Sequence, residues 1–261
     1  MVRRILLLTC CLAVSGTAVS GQVLELEGRY WPASLTGSVR VTGGHGEIPS
    51  DLNTVDLKSD LGLKDEHLKD WRLSLRTGPR SRLRIGYVKM DYGADHIVQR
   101  TILFEGQLYP VDTRVVTKLN VEYWRYGWIW EFLGGPYSRV RFGTLLEAKR
   151  ISVDAALSAP DIVEFAPPIA ESKRLSATLP TIGFVFDAYP SQTLNIFAEA
   201  SGISGGSRGH ALDGEAGVKL ALGRHLLLTA GYRYLDIEVN DDPDFAKLKN
   251  TGPFVGGALR F

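Results

Sequence analysis

The sequence lacks several features that would place it in common protein classes. Its 261 residues include only two cysteines, Cys10 and Cys11, both close to the amino terminus. After Val19, no stretch is apolar over the roughly 20 residues that a membrane-spanning helix needs. The 30 basic and 29 acidic residues leave no charge excess that would indicate a nucleic-acid partner. Disulfides, thiolate metal sites, membrane helices and nucleic-acid binding are therefore not expected beyond the amino-terminal segment.

The amino terminus has the pattern of a cleaved secretory signal. Arg3 and Arg4 precede an apolar segment, residues 5–14, and the segment 18–20 that follows places the small residues Ala18 and Ser20 on either side of Val19. We predict cleavage after Ser20 or Gly21, which gives a signal peptide over 1–21 and a mature domain over 22–261. Lipidation through Cys10 or Cys11 is an alternative, but the residue before Cys10 is a threonine where a small residue is required.

The mature sequence alternates apolar and polar residues in short segments, which predicts β-strands. We predict ten strands: 23–32, 70–76, one beginning near 81, one ending near 132, 137–153, 174–188, 193–202, 210–222, 225–239 and 254–261. A transmembrane β-barrel accounts for this pattern, because only alternate residues of each strand need be apolar. The predicted fold is therefore all-β, an antiparallel up-and-down barrel.

The connections between the predicted strands alternate in length. Those after strands two, four, six and eight are short turns, and the others are longer. Short periplasmic turns and longer outer loops produce this order when both termini are periplasmic. The segment 97–119 has two interpretations: a β-hairpin projecting outside the membrane, or an extra pair of membrane strands. We favour the hairpin.

Two strands contain a break in the alternation. In strand four Leu119, Val121 and Tyr123 share one parity, whereas the aromatic residues 126–132 share the other. We expect a β-bulge near Tyr123–Trp124 to correct the register. A similar slip occurs at residues 235–236. Aromatic residues near the strand ends are interpreted as an interfacial girdle, with a ligand platform as the alternative.

The last strand ends in Leu259, Arg260 and Phe261. An aromatic carboxyl terminus behind period-2 alternation resembles the closing strand of outer-membrane β-barrels, and the segments 57–63 and 231–237 are similar to those of a family of small porin-like barrels from Gram-negative bacteria. The resemblance implies an outer-membrane location, contact with membrane lipid, and recognition of Leu259 and Phe261 by the barrel-assembly machinery. Its motifs are structural, so it implies no activity.

Charged residues concentrate at the positions predicted to face the lumen. A ten-stranded barrel is narrow, so these charges should pair with one another. The alternative is a narrow polar channel. The predicted lumen network comprises Glu25, Glu27, Arg29, Arg72, Arg84, Glu122, Arg139, Arg141, Glu147, Lys149, Glu199, Asp213, Glu215, Lys219 and Arg233.

Signals of catalysis or metal binding are weak. Asp91, Asp95, His96, His210 and Asp213 lie near predicted outer strand ends, a loose match in residue types to outer-membrane proteases. The oxygen-rich run 240–244 suits calcium chemically but matches no EF-hand spacing. We therefore predict no catalytic residues, cofactor or metal, and a monomeric structural or narrow-channel barrel. A surface-loop binding protein, with apolar loop residues 162–169, and a rim-site hydrolase remain alternatives.

Overall fold

A computed structural model describes residues 24–40, 54–104, 107–135, 137–160, 169–206, 209–241 and 244–261. The predicted signal peptide, the loop residues 162–168 and Asp242–Pro243 lie outside the described residues. The described residues form thirteen strands: β1 (Leu24–Arg40), β2 (Thr54–Asp56), β3 (Glu66–Gly78), β4 (Ser81–Ile97), β5 (Ile102–Phe104), β6 (Gln107–Tyr109), β7 (Arg114–Leu133), β8 (Val140–Ala159), β9 (Ile169–Ala188), β10 (Leu194–Ser204), β11 (Gly209–Leu222), β12 (Leu226–Asp241) and β13 (Asp244–Arg260). Among the described residues, no helix is long and apolar enough to span a membrane.

Ten of these strands form a closed antiparallel barrel. The order is β1, β3, β4, β7, β8, β9, β10, β11, β12 and β13, and β13 pairs with β1 to complete the cylinder. The backbone N–H of Phe261 donates to the carbonyl of Leu24 at 2.8 Å, and the N–H of Leu24 donates back at 3.1 Å. The prediction of an all-β, ten-stranded up-and-down barrel is confirmed.

Both described chain ends and four short connections lie at one end of the barrel, which we call the turn end. The prediction was wrong about two connections at the opposite end. β10 and β11 are separated only by residues 205–208, and β12 and β13 only by residues 242–243. β1 and β13 are also longer than predicted. The strands themselves, rather than long loops, build much of the opposite end.

The segment between β4 and β7 forms a hairpin beyond the end of the barrel. This is the arrangement that we favoured from the sequence. β4 and β7 stay paired up to Ile97 and Arg114, and β5 and β6 then form a separate two-stranded sheet. This hairpin packs on residues 54–63, which we call the lid. Leu57 and Leu61 of the lid and Ile102 and Tyr109 of the hairpin are buried in one apolar cluster.

The outer face of the barrel carries an apolar belt. Each barrel strand contributes at least one large exposed apolar side chain to it, for example Leu26, Trp71, Ile85, Trp128, Leu146, Phe184, Ile196, Leu220, Leu228 and Val255. On β7 the belt runs from Trp124 to Phe132, a length of nine residues that matches the roughly 9–11 residues of a transmembrane strand. The part of the barrel inside this belt is called the belt section here, and the part beyond it, away from the turn end, the outer section.

The expected bulge near Tyr123–Trp124 is absent. Pairing of β7 with β4 is continuous from Ser81–Trp130 to Ile97–Arg114. Leu119, Val121 and Tyr123 instead point inward, and Tyr123 is only 1% exposed. The residues of the second predicted slip behave in the same way, since Leu235 and Ile237 are also buried. The backbone alternation continues, and it is the polarity of the two faces that changes.

The interior of the outer section is consequently an apolar core. Inward side chains from six strands meet there beneath the lid: Trp31, Leu35, Leu68, Val88, Met90, Leu119, Val121, Ile151, Leu157, Leu235 and Ile237. Trp31 and Tyr92 belong to this interior, so these two aromatics are not part of the girdle predicted from the sequence. Burial of such side chains contributes about 1.5–3 kcal/mol each.

Candidate functional site

The interior of the belt section is charged, and its deepest part lies directly below the apolar core. Arg233 on β12 donates to Asp213 on β11 at 2.8 and 3.1 Å and to Asp70 on β3 at 3.0 Å. Arg125 on β7 contacts both carboxylates at 3.3 Å. These four side chains are at most 3% exposed. They come from four different strands, so their ion pairs cross the lumen from wall to wall.

The neighbours of this group close it against the apolar core. Tyr123 donates its hydroxyl hydrogen to Asp213 at 3.0 Å. The guanidinium of Arg233 lies 4.7 Å from the centre of the Trp31 ring, a cation–π contact. The group of Asp70, Arg125, Asp213 and Arg233 is called the deep layer from here on.

A second set of ion pairs lies nearer the turn end. Arg29 donates to Glu215 at 2.9 Å, and Arg72 makes two hydrogen bonds to the same carboxylate. Arg84 bridges Glu199 at 2.5 Å and Glu147 at 3.0 Å. The remaining contacts extend the network around the wall: Glu27 with Arg29, Lys149 with Glu147, Lys219 with Glu25, and Arg260 with Glu25.

The structure brings together most of the residues predicted for the lumen network. Those in mutual contact are Glu25, Glu27, Arg29, Arg72, Arg84, Glu147, Lys149, Glu199, Asp213, Glu215, Lys219 and Arg233. Arg141 also points inward, and its guanidinium lies 4.6 Å from the ring centre of Tyr189. Arginine and carboxylate groups alternate around the lumen, so nearly every charge has an opposite neighbour.

Two predicted members of the network are placed elsewhere. Glu122 is exposed on the outer wall of β7, opposite Lys89 of β4. Its inward assignment depended on the bulge that the structure lacks. Arg139 is exposed in the turn before β8. The sequence interpretation had extended strand five over that turn, back to residue 137.

Sequence reasoning missed two members of the deep layer. Asp70 lies two residues before Arg72 on β3 and therefore points to the same, inner face. The predicted strand began at Asp70, and this first residue was not counted among the inward positions. Trp124 and Tyr126 point outward, so Arg125 between them points inward. The signal was therefore present for Arg125, and the presumed bulge obscured it.

The residues considered for a rim hydrolase do not converge. Asp91 pairs with Lys89, and Asp95 pairs with Arg114, both on the outer wall. His210 lies 3.6 Å from Asp236 on the outer face of β11 and β12, whereas Asp213 is inside the deep layer. Within the described part of the chain, no three His, Cys, Asp or Glu side chains are grouped as a metal site requires.

The carboxyl-terminal residues close the barrel. Leu259 pairs with Leu26 of β1 and with Leu226 of β12, and its side chain belongs to the apolar belt. Phe261 is 66% exposed at the turn end. Recognition of these two residues by assembly machinery stays a prediction.

A cavity of about 340 Å³ opens between the charged network and the turn end. Its wall includes Arg76, Arg82, Arg84 and Arg141, with Asp187 and Tyr189 beside them. Most of the charges that line it come from the network described above, and Arg82 contacts its partner Asp187 only at 3.7 Å. We call it the turn-end cavity.

The fold resembles that of a solved outer-membrane protein. The outer membrane protease OmpT from Escherichia coli aligns with a TM-score of 0.58 at 8% identity, over 92% of this chain and 97% of that chain. Ail, the attachment invasion locus protein of Yersinia pestis, aligns with a TM-score of 0.38 at 11% identity, over 92% and 99%. No protein-family model and no curated protein sequence matches the chain. The likeness to OmpT establishes a shared fold.

Proposed function

We propose that this chain is an outer-membrane β-barrel protein whose lumen is closed by its own side chains and whose role is structural. The apolar belt supports a membrane location, since it continues around all ten strands. The predicted signal peptide and the fold shared with OmpT are consistent with this location. Since β13 pairs with β1 and closes the barrel, we expect a monomer surrounded by membrane lipid.

One observation carries the closed-lumen proposal. Ion pairs of the deep layer span the lumen between β3, β7, β11 and β12, and the apolar core lies directly beyond them. A hydrated solute would have to separate these buried ion pairs and then cross an apolar core. Separating one buried pair typically costs about 3–5 kcal/mol. This favours a closed barrel over the narrow-channel alternative.

Conductance tests the proposal. The mature protein should be refolded, checked for insertion by heat-modifiable gel migration and β-type circular dichroism, and added to a planar lipid bilayer. We expect no steady conductance steps. Stepwise ion conductance from inserted, correctly folded protein would instead support the small-solute channel.

Orientation can be tested separately on intact cells. The mature sequence has no cysteine, so single cysteines can be labelled without background. Asp91→Cys, on the outer wall beyond the belt, should react with a membrane-impermeant maleimide. Gly135→Cys, in the turn between β7 and β8, should react only after the cells are broken. Labelling of Gly135→Cys from outside would reverse the proposed orientation.

A further inference from the structure

The turn-end cavity contains arginines that face one another. Arg76 of β3 and Arg82 of β4 are directly opposite in the register of the two strands, and both point inward. Like charges directly opposite each other destabilise a strand pair. Arg76 has a good partner in Glu131 at 3.0 Å. The contact of Arg82 with Asp187 is longer, at 3.7 Å, and its Nε is buried without a hydrogen-bond partner among the described residues.

Asp187 has several neighbours to satisfy. It lies opposite Arg141 in the register of β8 and β9. It also accepts a hydrogen bond from the side-chain amide of Asn195 at 2.9 Å. Asp187 is therefore engaged by Asn195 while it faces Arg141 across the register, and its contact with Arg82 is long, at 3.7 Å. Arg82 is the arginine of this group whose charge is least fully met by Asp187.

The charge of the cavity is unbalanced, whereas that of the deep layer is not. Eight basic and five acidic side chains line the cavity, and Glu131 beside Arg76 reduces this excess of three to two. The deep layer contains two carboxylates and two guanidinium groups. The positive excess of the lumen is thus confined to the part that is open to solvent.

We propose that the turn-end cavity binds a small oxyanion with two or more negative charges, held by Arg82 and Arg141 with Arg76 alongside. Guanidinium groups match the oxygens of phosphates and carboxylates, often with two hydrogen bonds each. The volume of about 340 Å³ far exceeds the roughly 30 Å³ of one water molecule and lies within the usual range for small-molecule sites. Placing the site on the periplasmic side rests on the proposed orientation, but binding itself does not.

Calorimetric titration of the refolded mature protein with pyrophosphate tests this site. At low ionic strength, where screening is weak, we expect saturable binding of one pyrophosphate per barrel, at least about tenfold tighter than acetate. A second titration with citrate distinguishes two kinds of oxyanion. If pyrophosphate binds more tightly than citrate, the ligand carries phosphate groups. If citrate binds more tightly, the ligand is a polycarboxylate. Either order supports the site.

Matched variants locate the binding. Arg82→Gln and Arg141→Gln should each weaken pyrophosphate binding about tenfold, as expected for loss of charged hydrogen bonds. Arg139→Gln is the control, since it removes an equal charge from an exposed position two residues from Arg141. Asp187→Asn should tighten binding, because it removes the competing negative charge but keeps an acceptor for Asn195. A variant that is merely misfolded would not show tighter binding.

Several results would overturn the proposal. These are the absence of saturable binding, affinity for acetate equal to that for pyrophosphate, and equal losses in Arg139→Gln and Arg82→Gln. Its failure is distinguishable from that of the closed-lumen proposal. A barrel that conducts ions yet binds pyrophosphate would refute the closed lumen and support this site. A barrel that does not conduct and does not bind pyrophosphate would support the closed lumen and refute this site.

Discussion

The belt section and the outer section are built from the same strands but place opposite residues inside. On β7 the charged residues Arg125 and Glu131 point inward in the belt section, whereas the inward residue Val121, four residues from Arg125, is apolar. The outward residues change in the opposite sense, from Trp128 and Trp124 to the exposed Glu122. The belt section is apolar outside and mainly charged inside, with one small apolar cluster of Ile129, Leu145 and Val185. The outer section is polar outside and apolar inside.

The difference shows that the solvent at the outer wall decides which side chains a barrel encloses. In the proposed membrane location lipid covers the belt, so apolar residues face outward there and the narrow lumen is filled with paired charges. Where water covers the wall, the same cylinder gains stability by burying its apolar residues, as in a water-soluble protein. The lid and the β5–β6 hairpin complete that core, since a water-soluble barrel must cover its open end.

The largest effect is expected in the deep layer. Asp213→Ala would leave Arg233 and Arg125 with only Asp70 between them. Loss of one partner of a buried ion pair should lower the free energy of unfolding by about 3–5 kcal/mol. Urea unfolding in lipid vesicles measures this change. Asp95→Ala, which breaks an exposed pair with Arg114, should shift the midpoint very little. Equal shifts would contradict the burial of the deep layer.

A somewhat smaller loss is expected in the outer section. Leu35 is fully buried in the apolar core, and Leu→Ala substitutions at such positions cost about 2–5 kcal/mol. Thr36→Ala is the control, because Thr36 is the next residue on β1 and is exposed on the outer wall. It should change the free energy of unfolding by less than about 0.5 kcal/mol. If Leu35→Ala is as mild as its control, the outer section has no packed core.

The lid should respond weakly to acid. Burial of the Asp60 carboxyl alone would raise its pKa, but hydrogen bonds from Arg100 at 2.9 Å and from the Asp56 backbone N–H at 2.7 Å outweigh burial and lower the pKa. A lowered folded-state pKa gives stability that is present above the unfolded value of about 3.9 and is lost as the pH falls below it. Because Arg100 is 37% exposed, the contribution should stay below about 1 kcal/mol.

Hydrogen exchange of the lid amides measures this response. The protection factor of the Leu63 N–H, which donates to the carbonyl of Leu57, should stay constant from pH 7 to about pH 4 and fall by up to about fivefold below it. Exchange rates must be corrected for their intrinsic dependence on pH. In Asp60→Asn the loss of protection below pH 4 should disappear. An unchanged acid response in that variant would assign it to another group.

The strand count and the belt section could be predicted from the sequence, because their alternate residues follow the simple apolar-outside rule of a transmembrane barrel. The outer section could not be, because the same rule was applied beyond the belt. Leu119, Val121 and Tyr123 were read as lipid-facing, so a bulge was required and Glu122 was assigned to the lumen. The break in polarity at residues 123–124 marks the edge of the belt and not a change in the backbone. The packing of the lid against the hairpin was not predicted, since it depends on contacts between distant segments.

Cysteine scanning along β7 tests the reversal of polarity most directly. In lipid vesicles, Glu122→Cys should react rapidly with a membrane-impermeant maleimide, because residue 122 lies on the water-exposed outer wall. Val121→Cys should be protected inside the apolar core, and Trp128→Cys should react only with a lipid-soluble reagent. Rapid labelling of Val121→Cys together with protection of Glu122→Cys would show that residue 121 points outward and residue 122 inward, as the predicted bulge requires. That result would contradict the account.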